Sequence, residues 1–445
     1  MKKQTNPNRP SEQAEIERAT FKNLLVLLKE GQFIEIIKVI RRRILNSLKV
    51  LKRLSRKIWG IIYDYPPIKY WREQRRLDKI LLEVFDYSPI NQPVNAQLSI
   101  ALIIGEGKTA PKSSAFIRLI SPLTDESIRE KVSFRIFNEN TTELGDSFDF
   151  CIVQRTAFDS IDKAEQLVSN LNQAGTKLII DTDDAFGDID EHHPEYDIHS
   201  NRMEAKNVLL NNASQIWVST SALLKSMGPR LQKKASVVPN GLDSRLWQAT
   251  KVDQEKIIGK IGKLRMVYMG TATHDADLKV ILPALEKLND EHPGSFSLDL
   301  VGVTDNIPDQ PWVNRVYLKS SLYPEFVKWF VAKKRFDVGL SPLQDSDFNK
   351  SKSDIKCLDY LAAGILPVVS SAEAYRSRDL DNCVIRVKSQ EDWFTALESL
   401  LTRELSNAEI YKKIKNGQKY VWTKRSSKNS AAIIYKQLKL GPKIR

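Results

Sequence analysis

The sequence predicts two doubly wound α/β domains in tandem, each built on a parallel sheet, behind a basic helical extension. Three observations carry this. From Leu98 onward, strand-length runs that are apolar throughout alternate with longer helix-like stretches, the pattern of parallel strands covered on both faces. After about residue 250 a second series of the same kind starts afresh. The positive charge, finally, is confined to one end: residues 1–60 hold 15 Lys+Arg against 5 Asp+Glu, so +10 of the chain's +13 lies there.

Length and composition fit this reading. At roughly 150 residues per domain, 445 residues make about three units, or two large ones and an extension. With 42% hydrophobic and 28% charged residues the chain falls among globular proteins and outside the collagen-like, low-complexity and wholly disordered classes. Its three cysteines, Cys151, Cys357 and Cys383, lack the C-x-x-C spacing of a zinc site and are too few for a disulfide framework. The first twenty residues contain no apolar h-region, and no window approaches the roughly 18 uncharged apolar residues of a membrane span. A cytoplasmic protein, neither secreted nor membrane-spanning, is the expectation.

The extension, residues 1–97, opens with the basic segment. Phe33 to Tyr63 places Ile37, Ile40, Ile44, Leu48, Leu51, Leu54 and Ile58 at helical 3-4 spacing, with no acidic residue between Glu35 and Asp64. A basic face, an apolar face, and Trp59 and Tyr63 near the end make the pattern of an interfacial helix on anionic lipid. Packing on the protein's own domain or a partner helix is the competing reading. The stripe is too apolar for a phosphate-binding arm, so no nucleic-acid partner is expected. Residues 33–63 therefore predict peripheral attachment to the cytoplasmic face of a membrane. Tyr65-Pro66-Pro67 breaks the pattern, a short amphipathic stretch runs through Val84, and residues 88–97 read as a linker.

The first α/β domain spans 98–250, with LSIALIIG, FDFCIVQ, TKLIIDTDD, QIWVST and ASVVPNG as strands and strand ends. The second spans 251–420, from RMVYMG through FSLDLVG, RVYLKSSL, FDVGLSPL and ILPVVSS to CVIRVKS. Residues 421–445 form a helical tail.

Ligands of open parallel sheets bind at the carboxyl ends of strands, so the loops there hold the candidate chemistry. Gly105-Glu106-Gly107 follows the first strand; its glycines permit close approach of a ligand, and a plain tight turn fits equally. Asp181-Thr182-Asp183-Asp184 ends another strand. Such a cluster can hold a divalent cation bridging a diphosphate, accept hydrogen bonds from or deprotonate a sugar hydroxyl, or merely cap the next turn. His192, His193 and His199 follow; with Asp183 they can form an acid–base or metal cluster, and a polar surface loop fits equally. Residues 237–247, VVPNGLDSRLW, demand a turn in which Gly241 takes positive φ and Asn240 tolerates it. Near the end of the second domain a basic loop enters a short helix with Ser353 as N-cap and Gly364 as stop. The helix N-terminus beside Lys352 suits a diphosphate, and Asp359 can accept ribose hydroxyls. Lys356, three residues earlier, either joins that site or forms a surface ion pair with Asp359.

Two of these segments carry a resemblance. V-x-P-N-G-x-D, here Pro239, Asn240, Gly241 and Asp243, is similar to the hinge turn of family 4-like glycosyltransferases of the GT-B fold, and lies where that family has it. The segment K-S-D-I-K-x-L-D-Y-x-A-x-G resembles the family's E-x7-E region, in the form of divergent enzymes of bacterial surface-polysaccharide assembly. Asp359 stands in place of the second Glu and Ser351 in place of the first, and Met269–Asp277 lacks the usual basic pair. Over residues 98–420 the resemblance implies transfer of a sugar from a nucleoside diphosphate donor to a glycan or lipid-linked acceptor. It implies donor contacts at Gly270, Thr271, His274, Lys352, Ser353, Lys356 and Asp359. The strand-end loops of the first domain supply the acceptor-side candidates Gly105, Gly107 and Asp181, with Asp183, Asp184 and His193 as catalytic groups. No cofactor beyond the nucleoside diphosphate sugar, and no metal, is expected, because Lys352 and backbone amides can meet the leaving-group charge. The alternative is a membrane-docked glycan-binding or scaffolding protein on a degenerate frame of this kind.

Overall fold

The computed structural model describes residues 66–88, 96–105, 111–188, 196–247, 263–270, 275–302, 309–318, 322–333 and 336–440, with single positions Val26, Pro93, Glu191 and Ser320. Both sheets and the groups around them belong to one compact unit, Glu73–Arg445. The basic segment 33–63 lies outside the described residues.

Two six-stranded parallel sheets form the frame. The first contains β1 (Leu98–Ile103), β2 (Val132–Phe137), β3 (Phe150–Gln154), β4 (Lys177–Thr182), β5 (Gln215–Val218) and β6 (Ala235–Val237), in the order β2-β1-β3-β4-β5-β6. The second contains β7 (Leu264–Met269), β8 (Phe296–Val301), β9 (Val313–Val316), β10 (Val338–Ser341), β11 (Leu366–Ser370) and β12 (Ile385–Val387), in the order β12-β11-β10-β7-β8-β9. Strands β3, β5, β10 and β11 are buried along their whole length, which explains their unbroken apolar runs. Edge strand β2 instead buries Val132 and Phe134 and exposes Arg135. With the helices that cover them, the sheets make the two-domain GT-B architecture.

Local chemistry sets the covering helices. Helix α1 (Pro66–Phe85) starts on the two prolines, tolerated in a first turn whose N–H groups lack intrahelical acceptors. Helix α2 (Ile161–Ala174) starts where Ser160 accepts from the Lys163 amide and stops at Gly175, φ 70°. Then come α3 (Tyr196–Asn212), α4 (Leu282–Glu291), α5 (Tyr323–Lys333), α6 (Ile355–Ala362), α7 (Gln390–Leu401), α8 (Asn407–Lys424) and α9 (Ser427–Leu440). Capping boxes Ser389/Asp392 and Ser406/Glu409 open α7 and α8.

Strand order reverses between β1 and β3 in the first domain and between β7 and β10 in the second. These switch points are where a doubly wound sheet opens a crevice. Small residues let elements close around both. A Cβ on Gly105, beyond β1, would lie 2.8 Å from the Ala157 Cα. One on Gly339 in β10 would lie 2.3 Å from the Tyr360 ring, so strand and α6 touch face to face.

Apolar packing runs between the domains. Leu77, Leu81 and Phe85 of α1 are buried in the cluster that also holds Phe116, Trp247, Tyr323, Phe330 and Leu361. Trp247, fully buried, donates from Nε1 to the Tyr323 hydroxyl at 3.0 Å. The final helix returns to the first domain: the Gln437 carbonyl accepts from Gln215 Nε2 at 3.0 Å, and Tyr435 donates to Gln97 Oε1 at 2.9 Å. Among the described residues no helix is long and apolar enough to cross a membrane.

Candidate active site at the facing strand ends

The acidic cluster after β4 is already neutralised. Arg118 sits in a π-helical turn (Phe116–Ile120) and is buried together with Asp181. Its Nε lies 3.0 and 2.9 Å from the two Asp181 oxygens and its Nη2 2.6 Å from Oδ1. Burial works against the guanidinium charge, but Asp181 more than offsets it and raises the Arg118 pKa. Asp181 is thus corrected from an acceptor-side loop group to a buried strand residue whose carboxylate is taken by arginine. Asp183 and Asp184, half-buried, face Arg155 at 3.0 and 3.4 Å, the former pair without the alignment of a hydrogen bond. Arg155 occupies the left-handed region at φ 54°, rare for a side chain of this size, and its amide donates to the Asp181 carbonyl at 2.7 Å. Behind them the buried Lys206 donates to Thr182 Oγ1 at 3.0 Å, and His199 Nδ1 pairs with Thr156 Oγ1 at 3.1 Å.

The turn after β6 ties the domains together. Asn240 Oδ1 accepts from Arg118 Nη1 at 2.8 Å, and its Nδ2 donates to Ser353 Oγ at 2.8 Å. Thr220 Oγ1 donates to the Ser351 carbonyl at 2.9 Å. Pro239 contributes its carbonyl to Ser430 Oγ at 3.0 Å, and the buried Asp243 holds Arg245. Gly241 is not at positive φ, contrary to the turn geometry expected from the sequence. Its need for glycine is close approach: a Cβ would lie 2.6 Å from the Ser426 carbonyl oxygen.

On the second domain, α6 begins one residue later than the sequence suggests. Asp354, not Ser353, is the N-cap, and its side chain makes no capping bond. Both its oxygens are instead bound by Arg425, at 2.6 Å each, while Arg425 Nε donates to the Asn240 carbonyl at 3.1 Å. Gly364 ends the helix at φ 75° as expected. Lys356 and Asp359 do not form a surface ion pair: Asp359 is buried, and the Lys356 Nζ is enclosed 4.4 Å from the Tyr268 ring centre. Neither Lys356 Nζ nor Asp359 Oδ1 has a hydrogen-bond partner among the described residues. Burial lowers the Lys356 pKa to about 8, with Asp277 and Asp359 favouring the cation and Lys352 opposing it. Burial also pushes Asp359 well above the usual carboxylate range, against the pull of Lys356. A buried cation and a buried carboxyl oxygen, both unsatisfied, are costly unless a polar ligand completes them. Lys352 lies over the Phe348 ring at 4.9 Å, and Gly270, at the β7 end, has its carbonyl 2.6 Å from where a Gly302 Cβ would stand.

A cleft of about 1400 Å³ opens beside the segment that precedes this helix, lined there by Asn349, Lys350 and Ser351 and from the first domain by Ser221 and Lys225; Lys352, Ser353, Lys356 and Asp359 do not line it. Gly107, His193, Thr271 and His274 lie outside the described residues. Sequence reasoning missed Arg118, Arg155, Asp354 and Arg425. A lone arginine inside the apolar run FIRLI was the available sign of a charge paired in the interior.

No family model matches the chain, and no curated protein matches it in sequence. Solved structures do resemble it. Anabaena HepE in complex with UDP-glucose aligns at a TM-score of 0.53 and 11% identity over 77% of this chain and 100% of that one. Sucrose-phosphate synthase from Thermosynechococcus elongatus aligns at 0.53 and 13% over the same shares. The trehalose-6-phosphate synthase OtsA aligns at 0.51 and 12% over 78% of this chain and 99% of its own. At these identities the likeness concerns the fold.

Proposed function

We propose that this chain is a glycosyltransferase that moves a sugar from a nucleoside diphosphate sugar to a glycan or lipid-linked acceptor, in the synthesis of a cell-surface polysaccharide. The observation that carries the reading is the unsatisfied pair Lys356 and Asp359, enclosed on the helix that flanks the β7/β10 switch point. HepE binds UDP-glucose on the same fold, which favours a UDP-sugar among donors. In this reading Lys352 and Lys356 meet the diphosphate, Asp359 meets the ribose, and Asp183 or Asp184, released from Arg155, takes the acceptor proton. Fixed cations take the part a metal plays in other transferases. A scaffolding role gives no reason to bury Lys356 Nζ and Asp359 Oδ1 without hydrogen-bond partners among the described residues.

Calorimetry and thermal shift with UDP, GDP and UDP-glucose test it. A nucleotide at 100 times its Kd stabilises by about 2.7 kcal/mol; no stabilisation by any of the three, and no release of UDP with acceptor extracts, refutes the enzyme reading. Attachment of residues 33–63 to anionic lipid belongs to the same proposal. Intact protein should sediment with anionic vesicles in a salt-sensitive way, and a chain starting at Pro66, which keeps the buried helix α1, should not. Equal recovery of both, or of neither, removes the membrane part.

A further inference from the structure

Arginine only donates hydrogen bonds, and this fixes the direction of a chain of contacts between the domains. Because Arg118 Nη1 lies 2.8 Å from the Asn240 side chain, the atom facing it is Oδ1. The amide nitrogen must then face Ser353, and it does, at 2.8 Å from Oγ. Ser353 Oγ is therefore an acceptor toward Asn240, and its own proton is left to point elsewhere. Among the described residues Ser353 Oγ makes no hydrogen bond as a donor. The nearest carboxylate in sequence, Asp354, is engaged through both oxygens by Arg425. Ser353 is half-buried and stands between Lys352 and the first turn of α6, which carries Lys356. A hydroxyl held as donor on a segment that also carries Lys352 and Lys356 suits an oxyanion.

We propose that Arg118, acting through Asn240, orients the Ser353 hydroxyl as a hydrogen-bond donor to a phosphate oxygen of the bound nucleoside diphosphate. Ser353 then touches the ligand, while Arg118 and Asn240 are positioning residues. This rests on the donor reading given above, in which Ser353 is already a donor contact, and adds to it two positioning residues and a direction of donation. Each donor in the chain is polarised by the one before it, starting from a full positive charge, so the final O–H is a stronger donor than an isolated serine. The arrangement also gives the buried Arg118–Asp181 pair a purpose, since such pairs add little stability for the desolvation they require.

Titration calorimetry with UDP on the full chain tests the relay. Ser353→Ala should weaken UDP about tenfold, the loss of a hydrogen bond to a charged group, and Ser353→Thr, which keeps the hydroxyl, should bind within about twofold of the parent. Asn240→Asp preserves shape but presents an acceptor oxygen to Ser353, which reverses the hydroxyl. Its loss of UDP affinity should be several-fold larger with Ser353 present than in the Ser353→Ala background, whereas a through-space charge effect is equal in both. Melting temperatures of the free variants separate folding from binding. Unchanged affinity in Ser353→Ala, or the same Asn240→Asp loss in both backgrounds, overturns the relay and leaves the donor reading intact. If Asn240→Asp fails to fold, Asn240→Ala, which removes the amide that donates to Ser353, takes its place in the same two backgrounds, and an equal loss in both overturns the relay. A parent chain that binds no UDP overturns the donor reading and the relay together.

Discussion

Lys356 should make nucleotide affinity depend on pH in a range where few other groups change charge. Burial lowers its pKa to about 8, so it is mostly a cation at pH 7 and mostly neutral at pH 9. If the diphosphate selects the cation, Kd for UDP should rise about tenfold from pH 7 to pH 9, or about 1.4 kcal/mol, because roughly nine-tenths of the sites are charged at the first pH and one-tenth at the second. Free-protein stability should move the other way. The unfolded chain holds this proton up to 10.5, so between about 8 and 10.5 it binds more protons than the folded chain, and stability rises with pH by about 3 kcal/mol at most. Calorimetry at pH 7, 8 and 9 reads the first effect and urea unfolding over the same range the second. Lys356→Arg, charged throughout, should flatten the affinity curve, and Lys356→Met should flatten both curves. A parent protein whose UDP affinity is constant from pH 7 to 9 would refute the placement of Lys356 at the phosphates.

Asp181→Asn leaves the buried Arg118 without its counter-charge and should cost about 3–5 kcal/mol in denaturant unfolding; a loss under about 1 kcal/mol would mean that water reaches the guanidinium. Gly241→Ala drives a methyl group to 2.6 Å from the Ser426 carbonyl oxygen and should destabilise by about 1–3 kcal/mol in calorimetric melting, with no loss expected if the turn moves aside freely. Asp183→Asn or Asp184→Asn should lower turnover while UDP affinity holds, since only acceptor deprotonation is lost; full activity in both would remove the acidic pair from catalysis.

The frame was legible because buried parallel strands cannot hide: β3, β5, β10 and β11 are mostly apolar and buried throughout. The turn at Asn240 and the helix at Asp359 were legible as motifs. Their partners were not, because the contacts join residues far apart in the chain. Arg118 meets Asn240 across 122 positions and Arg425 meets Asp354 across 71, and nothing local marks either arginine as a partner of those groups. Ser353 looks like a cap by spacing alone, yet its oxygen is already used by Asn240 and the helix starts on Asp354. Gly241 was read for its φ, the property a sequence suggests, whereas the neighbour that forbids a Cβ, Ser426, is distant in the chain.

The return of α9 to the first domain governs the order in which the protein can be made. Ala431, Ile434 and Leu438 are buried in the same cluster as Phe116 and Leu123, residues synthesised more than three hundred positions earlier. While the ribosome is still adding the second domain, the first has all six strands but an uncovered apolar flank where that helix will dock. Domains usually fold as they emerge; this one must wait for the last of the chain to close its surface. A nascent chain stalled near residue 420 should therefore recruit chaperones that the released protein does not, and an isolated fragment ending at residue 250 should aggregate unless the residues of α9 are supplied in trans.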